Sequence, residues 1–135
     1  SAKTKFEIPF YFRFFGKLGL AKILPISLLK SSNFISNWLF GTTGKADKKL
    51  LKQILIDTDP IFLKWALNVI PNWKNETAPK NAFHIHGNKD KILPISFVKP
   101  NFVIENGGHL MTLNKAEVMN KIILKELNNI NDDNS

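Results

Sequence analysis

The sequence predicts a mixed α/β fold: a mostly helical region over residues 1–80, then two parallel strands and a C-terminal helix over residues 81–135. Three observations predict it. Before Lys80, apolar residues recur every three or four positions, the helical period. After Lys80, two short apolar runs end at glycines, as strands do. The 14 residues from Gly87 to Pro100 are enough to return the chain for a parallel neighbour.

Each element has a local reason. Residues 1–8 read as a loop. Pro9 suits the first turn of a helix over residues 10–20. There Phe10, Tyr11, Phe14, Phe15 and Leu18 fall at helical spacing, with Arg13 and Lys17 between them. Phe12 lies off that stripe, and Gly16 and Gly19 weaken and end the helix. A short segment follows Pro25. Ser31 or Ser32 is placed to cap a helix running through Phe40. Gly41-Thr42-Thr43-Gly44 is a loop, and residues 47–56 repeat Leu50, Leu51, Ile54 and Leu55 at helical spacing. Asp59-Pro60 is a start signal, with Asp as N-cap and Pro at the first helical position. That helix carries Ile61, Phe62, Trp65, Val69 and Ile70 and stops before Pro71. Residues 72–81 are polar and read as a linker. Residues 82–86 form a strand ending at Gly87, and residues 101–105 a second one ending at Gly107-Gly108. Asn114 opens the last helix with Glu117 as its capping-box partner. Met119, Ile123, Leu127 and Ile130 form its expected buried stripe, and residues 131–135 are expected to fray. Two strands alone make a marginal sheet, so the second half reads as the edge of a larger one.

Composition narrows the function classes. The 135 residues suit a single domain, and 44% hydrophobic with 22% charged residues is a globular balance. No cysteine is present, which excludes a disulfide scaffold, a thiol nucleophile and Cys-ligated metal. It fits a reducing compartment, so a cytoplasmic location is expected. The net charge is +8, from 19 basic and 11 acidic residues, and all of the excess lies in residues 1–80. Every basic residue except Arg13 is lysine. Direct base readout leans on the arginine fork, so specific nucleic-acid binding is not expected. The longest apolar stretch, residues 8–29, is broken by Pro9, Arg13, Lys17, Lys22 and Pro25. It is neither a transmembrane span nor a signal peptide.

Three features bear on chemistry: FHIHGNKDKILP, VIENGGH and the aromatic helical first half. Asp90 lies just past the first strand, where an aspartate commonly serves a turn. His109 follows Gly107-Gly108 just past the second strand, where a lone histidine is commonly structural. Both therefore stand at the carboxyl ends of neighbouring strands, where open α/β sheets place ligands and catalytic groups. An aspartate that holds a histidine in one tautomer is the orienting half of a nucleophile–base–acid triad. A metal site competes. His84 and His86 share one strand face, and Asp90 and His109 would complete a ligand set. An HxHxDH metallohydrolase pattern wants aspartate at position 88, however, and Asn88 stands there. No metal or other cofactor is expected.

Residues 83–127 resemble the C-terminal end of an α/β-hydrolase. His86-Gly87-Asn88-Lys89-Asp90 matches the family's HG-x-x-D loop, with Pro94 beyond it. Gly107-Gly108-His109 matches the turn that carries the family's histidine. The chain order, acid before histidine, agrees. The resemblance implies that Asp90 orients His109 and stabilises its charged form. His109 then takes a proton from a serine and delivers it to the leaving group. His86, Gly87, Gly107 and Gly108 support the two loops. Residues 1–80 would be a helical cap, and residues 81–135 the last two strands and last helix of the core. Three departures stand out. Asp90 and His109 are only 19 residues apart, so the helix between them must shrink to a turn around residues 94–98. No G-x-S-x-G is present, because none of the serines at 1, 27, 31, 32, 36, 96 and 135 sits on a strand-to-helix elbow. The oxyanion-hole loop is missing as well.

The chain is thus expected to be the C-terminal half of a larger, truncated hydrolase, with Ser1-Ala2-Lys3 starting just after an earlier strand. Losing the nucleophile costs on the order of a millionfold in such enzymes, so the chain alone is expected to be inactive. The implied substrate is a carboxylic ester or related acyl compound. The apolar content of the cap (Phe10, Tyr11, Phe14, Phe15, Phe34, Trp38, Phe40, Trp65) makes it apolar. The implied partner at the open sheet edge is the missing half or a second copy. The alternative is a non-catalytic binding protein whose basic aromatic helices meet a partner protein or an anionic membrane.

Overall fold

The computed structural model describes residues 2–19 and 23–132. The expectations for Ser1, for residues 20–22 and for residues 133–135 fall outside them. Among the described residues, five α-helices precede the strands: α1 (Phe10–Lys17), α2 (Ile26–Leu29), α3 (Phe34–Phe40), α4 (Lys45–Asp57) and α5 (Pro60–Val69). Strands β1 (Ile85–Gly87) and β2 (Phe102–Ile104) follow, then α6 (Met111–Asn114) and α7 (Ala116–Asp132). The class is mixed α/β, mostly helical. Among the described residues, no helix is long and apolar enough to cross a membrane.

β1 and β2 pair in parallel, with Ile85 opposite Phe102, His86 opposite Val103 and Gly87 opposite Ile104. The connection between them contains one 3₁₀ turn, Ile95–Phe97, opened by Pro94. Phe97 of that turn meets the rings of Phe10 and Tyr11 at 6.4 and 6.0 Å, which packs α1 against the connection. α1 ends at Lys17, and Gly19 just beyond it takes the left-handed φ of 67° of a helix-ending glycine, as expected. Gly16 lies in the last turn, where a Cβ would come within 2.2 Å of the Pro71 Cβ.

The helix starts divide into local and non-local cases. Asp59 caps α5 as expected: its Oδ1 accepts the Phe62 N–H at 2.8 Å, and Pro60 fills the first turn. Asn33, not Ser31 or Ser32, caps α3. Its Oδ1 accepts the Ser36 N–H at 3.0 Å while the Ser36 hydroxyl accepts the Asn33 N–H at 2.9 Å, a reciprocal box. The expected cap at Asn114 is also displaced. Asn114 ends α6, its side chain donating to Asp47 at 3.2 Å, and Glu117 pairs with Lys121 one turn on.

The buried core is small. Ile8, Leu51, Leu55, Leu93, Val98, Ile104 and Met111 form its apolar part, with Pro9 fully enclosed. Thr42, His84, His86 and Asp90 are the buried polar residues. Thus much of the interior lies at β1, the loop after it and the end of β2. The expected stripe of α7 is not buried: Ile123, Leu127 and Ile130 are exposed, and Met119 is half-buried. Phe10, Phe14, Phe34, Ile61 and Trp65 are exposed as well.

Candidate functional site

Two strand-end loops make the site, and backbone bonds lace them together. Beyond β1, the Asn88 N–H donates to the Ile104 carbonyl at 3.2 Å, and the Lys89 N–H to the Gly107 carbonyl at 2.9 Å. The Asn88 side chain continues the lacing. Its Oδ1 accepts the Asn106 N–H at 2.8 Å, and its Nδ2 donates to Glu105. Asn106 holds a left-handed φ of 55°, which asparagine tolerates better than most residues. Gly87 and Gly107 allow the loops to meet. A Cβ on Gly87 would sit 2.2 Å from the Gly107 oxygen.

This close approach delivers Asp90 to His109. Asp90 Oδ1 accepts the backbone N–H groups of Ile92 and Leu93 at 2.9 and 2.8 Å. Its Oδ2 lies 2.9 Å from His109 Nδ1. The carboxylate accepts, so the neutral imidazole carries its proton on Nδ1. Burial, the largest single influence, pushes the Asp90 carboxyl upward. The hydrogen bonds from His109 and Leu93 and the nearby charges of His109 and His86 outweigh it, and the carboxyl sits below its ordinary value. It is therefore ionised at neutral pH.

His86 does not touch the carboxylate closely; its Nε2 is 4.0 Å from Asp90 Oδ2. The fully buried ring instead donates from Nε2 to the Leu93 carbonyl at 2.8 Å, closing the loop that carries Asp90. His84 packs edge-on to His86, with ring centroids 5.4 Å apart. Its two ring nitrogens are buried without hydrogen-bond partners among the described residues. Burial, aided by the charges of Lys3 and His86, holds its pKa down to about 4. Among the described residues, no three or more histidine or carboxylate side chains are arranged to hold a metal ion.

His109 is partly open, with a side-chain exposure of 36%. Phe40 meets its ring edge-on at 5.6 Å. Its Nε2 has no hydrogen-bond partner among the described residues. The same imidazole forms part of the wall of a cavity of about 480 Å³. The remaining wall is apolar in character: Ile8, Pro9 and Phe12 on one side, Leu67, Ile70, Pro71 and Trp73 on another, Ile92 and Leu93 from the Asp90 loop. Among the described residues, His109 is the only titratable side chain in that wall.

The aromatic residues expected to face a substrate lie elsewhere; Phe10, Phe14, Phe34 and Trp65 are at the surface, outside the cavity wall. Phe12, the residue off the stripe of α1, lines the cavity instead. Asn88 is a second residue whose role local reading missed, since its partners lie 17 and 18 positions away. No described serine bonds to His109. The Ser36 hydroxyl accepts from Asn33 within the capping box of α3, and Ser31 and Ser32 accept from Asn33 and Asn37. No protein-family model, curated protein or solved structure matches this chain, and the functional reading rests on this geometry.

Proposed function

We propose that this chain supplies the acid and the base of an α/β-hydrolase-type acyl hydrolase, as the C-terminal portion of the complete enzyme. A serine nucleophile and oxyanion-hole donors come from a further segment. The observation that carries this reading is the 2.9 Å contact of Asp90 with His109 Nδ1, with the ring opening onto an apolar cavity. The Nδ1 proton, held by an ionised carboxylate, leaves a lone pair on Nε2. That nitrogen takes the serine proton as the hydroxyl attacks the ester carbonyl, and returns it to the departing alkoxide. Asp90 stabilises the imidazolium between the two transfers. The cavity favours an uncharged, apolar acyl or alcohol group, because a charged one would be desolvated there without a partner.

The test joins the chain to the coding sequence upstream in the same reading frame and follows p-nitrophenyl butanoate. Cleavage is expected from the joined protein and not from this chain alone. Asp90→Asn is expected to lower kcat by about 10⁴-fold, and His109→Ala by about 10⁶-fold. An upstream sequence without a strand, G-x-S-x-G and helix overturns the reading. So does a joined protein whose activity is indifferent to His109→Ala.

A further inference from the structure

The end of α3 meets the His109 ring and the residue next to Asp90. Phe40, its last residue, meets the His109 ring edge-on at 5.6 Å and 74°. The next residue, Gly41, adopts a left-handed φ of 71° and lies against Gly108. A Cβ on Gly108 would be 3.2 Å from both Gly41 Cα and the Phe40 oxygen. Two residues earlier, Trp38 receives the Lys91 ammonium 4.1 Å from its ring centroid. Lys91 is bonded to Asp90 in sequence. One helical turn therefore braces the loop of the acid and the turn of the base.

That turn is itself stiff. Buried Thr42 donates from its hydroxyl to Asn37 Oδ1 at 2.6 Å, and its N–H to the Asn37 carbonyl at 3.0 Å. Asn37 Nδ2 donates to the Asn33 carbonyl at 2.7 Å, and Asn33 closes the reciprocal cap at the start of α3. Helix α3 is thus latched at both ends. A partly open imidazole held by one hydrogen bond is free to swing; a packed aromatic edge and a glycine–glycine contact restrict it.

We propose that residues 38–41 are a positioning clamp that holds His109 in the Nδ1–H tautomer facing Asp90, with Phe40 as the positioning residue and the Trp38–Lys91 contact steadying the acid loop. Its catalytic purpose rests on the acyl-hydrolase reading; its geometry does not. The helical region is then part of the catalytic machinery and not merely a cover.

The test is ¹⁵N NMR of the imidazoles in the full chain, at an alkaline pH where histidine is neutral. The native protein is expected to show His109 as the Nδ1–H tautomer. Phe40→Leu, which keeps apolar bulk but removes the ring, is expected to raise the Nε2–H form about three- to tenfold, with far-ultraviolet circular dichroism unchanged. Phe40→Tyr, which keeps the ring edge, is expected to restore the native tautomer. Lys91→Ala is expected to shift it in the same direction as Phe40→Leu, and decides alone should Phe40→Leu unfold. A native Nδ1–H histidine that stays so in Phe40→Leu and Lys91→Ala overturns the clamp and leaves the proposed function standing. A native His109 in the Nε2–H form overturns the pair itself, and both readings with it.

Discussion

At the scale of single residues, two buried ionisable groups set the response to pH, and both weaken the fold toward acid. Asp90 has a folded pKa below its ordinary 3.8, so its contribution is fully present above that value and is lost as the pH falls through the lower one. Asp90→Ala also strands the N–H groups of Ile92 and Leu93, at about 1–3 kcal/mol for each that stays buried. A lower urea midpoint at neutral pH checks this. His84 acts at higher pH. The unfolded imidazole takes a proton near 6.5, whereas the folded one resists until about 4. Stability therefore falls as the pH drops from 6.5 to 4, by up to about 3 kcal/mol. His84→Leu removes the titratable group. Urea midpoints of that variant are expected to decline less across this window than those of the native chain.

At the scale of elements, the site depends on two backbones lying closer than any side chain allows. Gly87→Ala places a Cβ 2.2 Å from the Gly107 oxygen, so β1 and the turn after β2 must separate. A loss of about 1–3 kcal/mol is expected in thermal melts, together with loss of the Nδ1-bonded His109 signal. A variant that melts like the native protein and keeps that signal contradicts the account. Leu51 of α4 is the largest fully buried aliphatic side chain, and Leu51→Ala is expected to cost about 2–5 kcal/mol. Local grammar predicted the elements well where their signals were local. Asp59-Pro60 starts α5, and Gly87 ends β1, whereas β2 stops at Ile104, short of Gly107-Gly108. It failed where several candidates competed, as at Asn33 beside Ser31 and Ser32, and where a distant partner took the expected cap, as Asp47 does at Asn114. In each failure a contact across the structure, or a reciprocal pair of bonds, outweighed a preference of a few tenths to one kcal/mol.

At the scale of the whole molecule, many large apolar side chains stand in water. Phe34, Ile61, Ile23 and Phe10 are 84, 80, 75 and 72% exposed, while the buried apolar core holds only a few side chains. β1 and β2 form a two-stranded sheet among the described residues, and two strands do not stand alone. Exposed patches of this kind drive association. The chain by itself is therefore expected to sediment above the mass of one copy and to bind a hydrophobic dye. If the proposed function holds, joining it to the upstream segment is expected to lower the dye signal. A monodisperse, cooperatively melting single chain that binds no dye overturns this.

The sequence by itself determined the order of helices and strands, the parallel return between the two strands, and which acid and which histidine stand at strand ends. Those properties follow from hydrophobic period, caps and glycines, which act within a few residues. Only the tertiary structure decided that Asp90 and His109 touch, that Phe12 and not the α1 stripe lines the cavity, and that Phe40 and Trp38 brace the two loops. Each of these depends on bonds and close approaches between distant positions, Asn88 with Asn106 and Gly41 with Gly108 among them. No local pattern specifies such a contact, because its free energy exists only once both partners have been brought together.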